Sequence, residues 1–193
     1  MSADTLNDKY DFRDDGAFSP RNWTSGILTS YDSFKFALGY AEARVKIPAG
    51  QGLWQAFWLL NGYYVAQQPE INIMEARGSH PDLAYHTYHR RDNDGADLPQ
   101  EQKITSYGTP RVGYSDAFHT FGVHWEHDRI TWYVEGVQAH TYSDPDVGCQ
   151  IMYVLLNLAV GGNLDEGRVP QPGSPLAEFE VDYVRVHQVT DTK

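Results

Sequence analysis

The sequence predicts an all-β protein, and three observations support this class. Aromatic residues make up 13% of the 193 residues, and Gly and Pro are frequent, as they are where strands are joined by turns. Several segments alternate between apolar and polar residues, which is the period of a strand with one buried face. No stretch of about 12 residues or more has the apolar period of a helix. The length suits one sandwich or barrel, so we expect a single domain, residues 1–193.

The predicted strands end at turn residues. The first alternates and ends at Pro48, and the second is an apolar run that ends at Asn61-Gly62. The third and fourth are separated by residues 126–129, which favours a hairpin. The fifth is long and apolar, which predicts a central strand covered on both faces. In chain order, the six predicted strands are 41–47, 54–60, 118–125, 130–134, 152–160 and 179–186.

Charge and composition exclude several classes of partner. The formal net charge is −11 and the sequence pI is about 5.0, so we expect no nucleic-acid partner and no anionic membrane partner. No run of about 18 apolar residues is present, which excludes a membrane-spanning helix. The single cysteine, Cys149, excludes an internal disulfide. The start, Met1-Ser2-Ala3-Asp4, lacks a signal region, so the chain is either cytoplasmic or has lost its signal.

A pair of glutamates in segment 69–78 is the most informative local feature. Alternation places Glu70 and Asn72 on one face of a strand, and it would place Glu75 on the other face. One extra residue, a β-bulge near Met74, would return Glu75 to the face of Glu70. Two carboxylates on one face are the minimum needed to cleave a glycosidic bond. The alternative is a surface strand with two solvated glutamates, and this segment alone does not decide between them.

The segments around these glutamates resemble glycoside hydrolase family 16 in order and spacing. This family comprises retaining endo-β-glycanases, including laminarinases, lichenases, agarases and carrageenases. The resemblance extends from about Trp23 to about Val186, nearly the whole chain. Besides 69–78, it rests on segments 52–60, 118–125, 128–136, 155–162 and 181–186.

The resemblance implies a β-jelly-roll sandwich of two bent antiparallel sheets with an open concave cleft. Such a cleft suits cutting within a long polysaccharide, whose sugar rings pack on aromatic side chains. The substrate-facing tryptophans of the family match Trp54, Trp58 and Trp125. We assign Trp132 and Tyr133 to structure.

The same resemblance assigns roles in catalysis. Glu70 matches the family's nucleophile and Glu75 its general acid/base, so Glu70 would begin ionised and Glu75 protonated. His89 matches a histidine that lies beside the catalytic glutamates. No cofactor is expected for catalysis.

Asn72 departs from the family, which has an aspartate between the two glutamates. Asparagine keeps one acceptor oxygen, loses the charge and gains two donors. We expect a working but slowed enzyme, with a more acidic pH optimum than an Asn72→Asp variant. The alternative is a protein that binds glycan and barely cleaves it.

A structural calcium occurs in many family members on the convex face. Its ligands match the carboxylate of Asp182 and the carbonyl of Gly39, and oxygen ligands suit calcium. The alternative is that Asp182 simply faces solvent.

Substrate and context are predicted more coarsely. The bulged Glu-Ile-Asn-Ile-Met-Glu motif resembles laminarinases, which favours β-1,3-glucan or β-1,3-1,4-glucan, while agar, carrageenan and bacterial exopolysaccharide stay open. We expect a secreted monomer, on functional grounds.

Fewer residues precede Trp23 than is usual in the family, so the first strands are either shortened or absent. An absent strand would expose a sheet edge.

Overall fold

The computed structural model describes residues 23–62, 69–89, 102–105, 113–145, 147, 149–171 and 173–188. These residues form eleven strands and one turn of 3₁₀ helix, Asn163–Asp165. The all-β prediction is confirmed. The strands are β1 Gly26–Thr29, β2 Gly39–Lys46, β3 Leu53–Asn61, β4 Glu70–Arg77, β5 Ala84–His89, β6 Gln102–Thr105, β7 His119–Trp125, β8 Arg129–Val134, β9 Val137–Ser143, β10 Met152–Val160 and β11 Glu180–His187.

The strands form two antiparallel sheets in the jelly-roll arrangement. The six-stranded sheet has the order β1-β10-β3-β4-β5-β6, and the five-stranded sheet has the order β11-β2-β7-β8-β9. Strand β2 shows why the sheets stack. Its residues alternate between buried and half-buried, and Ala41, Ala43 and Val45 are fully buried. Each sheet therefore presents one apolar face to the other.

The core lies between these two apolar faces. The six-stranded sheet contributes fully buried side chains such as Phe57, Leu59 and Ile71, and the five-stranded sheet contributes Phe121 and Trp132. Burial of these rings and branched side chains fixes the inner face of each strand, because a slip of one residue would expose all of them. The outer face of β3, β4 and β5 is thereby fixed as well.

All six predicted strands are present, but β10 is placed differently from the prediction, and β1 and β6, like β9, were not among the predicted strands. The hairpin of β7 and β8 is confirmed, and it closes with a backbone bond from Glu126 N to Arg129 O of 2.8 Å. Strand β10 is not central: it lies second from the edge, between β1 and β3, and its second half is only half-buried. Strand β9 was not predicted, because its exposed and half-exposed residues give a weak apolar pattern.

An apolar opening lies between the sheets on the side of β1 and β11. Leu28 is 63% exposed and Val184 is 38% exposed, and a cavity of about 670 Å³ is lined there by Trp23, Leu156 and Phe179, among others.

The predicted shortening of the first strands concerns residues 1–22, which lie outside the described residues. In the described part of the chain, no helix has the length and apolar character needed to cross a membrane.

Candidate active site

Strand β4 contains the predicted β-bulge. Against β3, Phe57 pairs with Met74 and Trp58 pairs with Asn72, which leaves Ile73 as an extra residue. Against β5, the register likewise shifts between Asn72 and Glu75. Ile73 and Met74 are both fully buried in the core. The extra residue therefore returns Glu75 to the outer face, the face of Glu70 and Asn72.

Asn72 connects the two glutamates. Its Nδ2 donates to Oε2 of Glu75 at 2.9 Å, and its side chain also hydrogen-bonds Glu70. Asn72 is 4% exposed and Glu75 is 9% exposed, while a quarter of the Glu70 side chain is exposed. Burial of this kind excludes the alternative of two solvated surface glutamates.

Burial raises the pKa of both carboxyls. The pKa of Glu70 rises to about 7, first through burial and then through the charge of Glu75, while the hydrogen bond from Asn72 opposes the rise. The pKa of Glu75 also rises through burial, against hydrogen bonds from Trp54 and Asn72. Both carboxyls therefore keep a proton to higher pH than a solvated glutamate would. The two groups titrate as a pair that can hold one proton near neutral pH.

His89 lies beside this pair, as predicted. It is opposite Glu70 in the register of β4 and β5, and its Nε2 is 3.7 Å from Oε1 of Glu70 and 3.3 Å from Nδ2 of Asn72. Burial lowers the pKa of His89, so the ring is neutral at neutral pH. A neutral Nε2 can accept a hydrogen bond from the Asn72 amide, and it gives Glu70 no full positive charge.

Trp54 makes a contact that the sequence did not predict. Its Nε1 donates to Oε1 of Glu75 at 3.0 Å. The ring is held close to Gly162, where an added Cβ would come within 2.8 Å of Trp54 Cε3, and the φ of Gly162 is +93°. No residue spacing signals this bond, because the partners are on different strands and the bulge sets their register.

Trp58 lies on the same outer face of β3, four residues after Trp54. Its Nε1 donates to Oδ1 of Asn157 on β10 at 2.8 Å. The indole is half-buried, so part of the ring is open to a ligand. Trp54 and Trp58 therefore both lie on the outer face that carries Glu75 and Asn72, and their contact with sugar stays a prediction.

Trp125 is not at the cleft. It is 1% exposed and belongs to the five-stranded sheet, where its ring packs edge-on against Phe36 at 6.3 Å. Its alternation partners Phe121 and Val123 also face the core. The predicted contact of Trp125 with substrate is wrong, and the assignment of Trp132 to structure agrees with its burial in the core.

Asp182 and Gly39 do not come together either. Asp182 lies at a bulge of β11 opposite Arg44, and its Oδ2 is 2.6 Å from Arg44 Nη1. Gly39 is five residues away along β2, roughly 16 Å at the rise of a strand. The pair therefore does not fit one calcium ion, and the alternative of a solvent-facing Asp182 is the observed one. Within the described ranges, no group of three or more His, Cys, Asp or Glu side chains is placed to hold a metal.

A buried aspartate anchors the loops at one end of the site. Asp165 is fully buried, accepts a 2.6 Å bond from Gly52 N and also accepts from the Ser79 hydroxyl. It thereby ties the segment after β10 to the loops that begin β3 and follow β4. This arrangement holds Gly162 against Trp54, and no sequence motif predicted it.

Comparison with known proteins finds a family model and several relatives. The model of the family described as "Glycosyl hydrolases family 16" matches residues 2–185. An endo-1,3-1,4-beta-glycanase of Rhizobium meliloti, ExsH, is 33% identical over 171 residues, which cover 87% of this chain and 34% of that protein. Glucan endo-1,3-beta-glucosidase A1 of Niallia circulans is 32% identical over 207 residues, covering 97% of this chain and 30% of that protein. This chain thus spans about a third of the length of these relatives.

A further relative is named for binding rather than cleavage. The beta-1,3-glucan-binding protein of Penaeus monodon is 27% identical over 191 residues, covering 80% of this chain and 52% of that protein. Among solved structures, the endo-beta-1,3-glucanase of Pyrococcus furiosus has a TM-score of 0.72 at 31% identity, covering 83% of this chain and 65% of that one. The laminarinase of Rhodothermus marinus has a TM-score of 0.73 at 26% identity, with coverages of 88% and 73%.

Proposed function

The chain belongs to glycosyl hydrolase family 16, and from this membership we propose that it is a retaining endo-β-glycanase that hydrolyses internal bonds of β-1,3-glucan or β-1,3-1,4-glucan. The observation that carries the proposal is the bulge in β4, which brings the buried Glu75 and the largely buried Glu70 to one face around Asn72. Retaining and inverting glycoside hydrolases both use two carboxyls, and we infer retention here from the family membership.

In the first step of the proposed mechanism, Glu70 acts as nucleophile. Its carboxylate attacks the anomeric carbon, and the bond from that carbon to the glycosidic oxygen breaks. Glu75 gives its proton to the departing oxygen, so the leaving sugar departs as a neutral alcohol. The step ends with a covalent glycosyl ester on Glu70 and an ionised Glu75.

In the second step, Glu75 acts as base. It takes a proton from water as the water oxygen attacks the anomeric carbon, and the ester bond to Glu70 breaks. Two inversions at the same carbon give net retention. Hydrogen bonds from Trp54 and Asn72 favour the ionised form that Glu75 adopts between the steps.

The names of the relatives support the substrate class. The Rhizobium and Niallia proteins carry names that specify β-1,3 or β-1,3-1,4 linkages. The half-buried indoles of Trp54 and Trp58 offer flat apolar surfaces of the kind on which sugar rings pack. A polysaccharide substrate, secretion and a monomeric state follow as predictions of the same proposal.

The decisive test is product analysis by mass spectrometry on laminarin, mixed-linkage β-glucan, agarose and carrageenan. We expect oligosaccharides from one or both glucans with the natural sequence and none with Glu70→Gln. Glu178→Gln, at an exposed glutamate outside the site, is the matched control and should retain full activity. Products from agarose or carrageenan alone would overturn the proposed substrate.

Retention can be tested separately. A 2-fluoro glucoside with a good leaving group should trap the covalent intermediate, and peptide mass spectrometry should find the added mass on Glu70. Label on another residue, or inverted product, would contradict the assigned nucleophile.

Glycan binding with little catalysis is the second candidate. It is favoured by Asn72 in place of the family aspartate and by the relative named as a glucan-binding protein. Calorimetry with laminarin oligosaccharides that shows binding without any turnover would establish it. Binding that is accompanied by turnover would reject it.

A further inference from the structure

The bulge in β4 creates a structural problem of its own. Two strand residues, Ile73 and Met74, lie across from a single residue of β5, His86, so the ladder is interrupted at this point. A buried backbone carbonyl without a hydrogen-bond donor is costly. The carbonyls of Asn72 and Ile73 lie at this interruption, and side chains of the core contact both of them.

Two core side chains supply these donors. Trp132 Nε1, on β8 of the facing sheet, donates to the Asn72 carbonyl at 3.0 Å. His86 Nδ1, on the neighbouring strand β5, is 2.6 Å from the Ile73 carbonyl. The two rings are neighbours, with centroids 6.3 Å apart. Consecutive carbonyls at the bulge are thus held from two different strands.

The protonation state of His86 is fixed by this contact. A carbonyl oxygen can only accept a hydrogen bond, so Nδ1 carries the proton. His86 is 1% exposed, and burial lowers its pKa to about 4, so the ring stays neutral at neutral pH. Its Nε2 is buried and has no hydrogen-bond partner in the described part of the chain. A leucine would fill the same space without an unsatisfied nitrogen, so the bond from Nδ1 is the feature that an imidazole provides.

We propose that His86 and Trp132 are positioning residues that hold the bulge carbonyls and thereby fix the placement of Glu75 relative to Glu70. The effect of these two residues on catalysis rests on the proposed function, but their effect on the placement of Glu75 does not. Without the bulge, regular alternation would turn Glu75 toward the core and separate the carboxyls. Because the two donors lie in the core, they would act on Glu75 through the backbone of β4 and would not touch the substrate.

Matched variants separate the donor from the volume it fills. His86→Leu removes the donor, whereas His86→Asn places an amide nitrogen close to the position of Nδ1. Trp132→Phe removes the indole N–H and keeps an aromatic ring. Trp125→Phe is the control, because Trp125 is equally buried in the same sheet and its ring packs against Phe36.

Two measurements are made on each variant. The first is kcat and KM on the glucan that the natural sequence cleaves. The second is titration of the glutamate side-chain carboxyls by carbon NMR, which needs no activity. Thermal unfolding shows how much each substitution destabilises the fold.

We expect His86→Leu and Trp132→Phe to lower kcat by about 10- to 100-fold, since small misplacements of reacting groups have effects of this size. KM should stay near that of the natural sequence, and the titration of Glu70 and Glu75 should change. His86→Asn should restore kcat and the carboxyl titrations. Trp125→Phe should lower the unfolding temperature without changing the titrations.

The outcomes distinguish the two proposals. Unchanged kcat and unchanged carboxyl titrations in His86→Leu and Trp132→Phe would overturn the positioning role. Equal losses in His86→Leu and His86→Asn would also overturn it, because the donor would then not matter. If the natural sequence cleaves no glucan but the titrations still change as expected, the positioning role stands and the proposed function fails.

Discussion

Carboxylates on the two outer faces of the sandwich have different partners. On the five-stranded sheet they pair with cations: Asp182 with Arg44 at 2.6 Å, Glu180 with Lys46 at 3.2 Å and Glu42 with Arg185 at 3.7 Å. On the six-stranded sheet, Glu70 and Glu75 have neutral donors, and neither has an arginine or lysine partner among the described residues. The first face uses charge pairs at the surface, and the second surrounds its carboxyls with neutral donors.

This difference suits the role that we propose for Glu75 as the acid. A cation beside Glu75 would hold it ionised, and it could then give no proton to a leaving oxygen. Neutral donors such as the Asn72 amide orient the carboxyl but leave its pKa raised. The raised pKa values are therefore the property that separates the site from the ordinary ion pairs of the opposite face.

The largest effect is expected from a cation placed in the site. Ala56 pairs with Glu75 in the register of β3 and β4, so Ala56→Lys would bring an ammonium group beside it. We expect the pKa of Glu75 to fall by about one to three pH units and kcat at neutral pH to fall by about 10- to 100-fold. Ala56→Met adds similar length without charge. A similar loss in Ala56→Met would mean that volume, and not charge, is responsible.

A negative charge should act in the opposite direction. In Asn72→Asp the added carboxylate raises the pKa of Glu75, so the acid stays protonated to higher pH. We expect the pH optimum to rise by about one pH unit, and kcat to rise as the charge restores the family's arrangement. Rate profiles between pH 4 and 9, about the range over which these carboxyls titrate, would measure both. An unchanged rate and pH profile would show that our account of Asn72 is wrong.

Burial of Glu70 should also affect stability. Its pKa is about 7 in the folded protein and near 4.5 when unfolded, so the folded state binds more protons between these values. Stability from this group is therefore highest below pH 4.5 and is lost as the pH rises through about 7. Glu70→Gln removes the effect. It should raise the free energy of unfolding at pH 8 by about 1 to 2 kcal/mol relative to its effect at pH 4.

Denaturant unfolding of both proteins at the two pH values measures this difference. Asp182→Asn is a useful control because its carboxyl is exposed. If Glu70→Gln changes stability equally at both pH values, burial is not what raises the pKa of Glu70.

The smallest effects belong to the face with ion pairs. Asp182 is about half exposed, and surface pairs contribute roughly 0 to 1 kcal/mol. Asp182→Asn should therefore change the unfolding temperature only slightly and leave kcat unchanged, and a chelator should also leave the unfolding temperature unchanged. A large chelator effect would point to a calcium site formed by other ligands.

Local pattern predicted the bulge in β4 better than it predicted long-range contacts. The bulge followed from a conflict within β4, because alternation and the need for two carboxylates on one face could not both hold without an extra residue. The same rule applied to β7 would have placed Trp125 with Phe121 and Val123 in the core. Family resemblance led to the opposite assignment, and the alternation was the better guide.

Contacts between strands could not be predicted from the sequence, for a physical reason. The bond from Trp54 to Glu75 depends on the register of β3 against β4, which the bulge shifts. The separation of Asp182 from Gly39 depends on the register of β11 against β2, which joins residues far apart in the chain. Neither register is encoded in the spacing of a single segment.

The order of strands in the sheets also determines when the site can form during synthesis. Strand β3 lies between β4 and β10, and β10 follows it in the chain only after β9. A nascent chain that has emerged as far as β8 already contains both glutamates, but it lacks Asn157, which holds Trp58. Such pairings close large loops and form slowly. The site is therefore completed only after β10 has emerged, and a chain released before β10 would present an unpaired edge of β3 to other molecules.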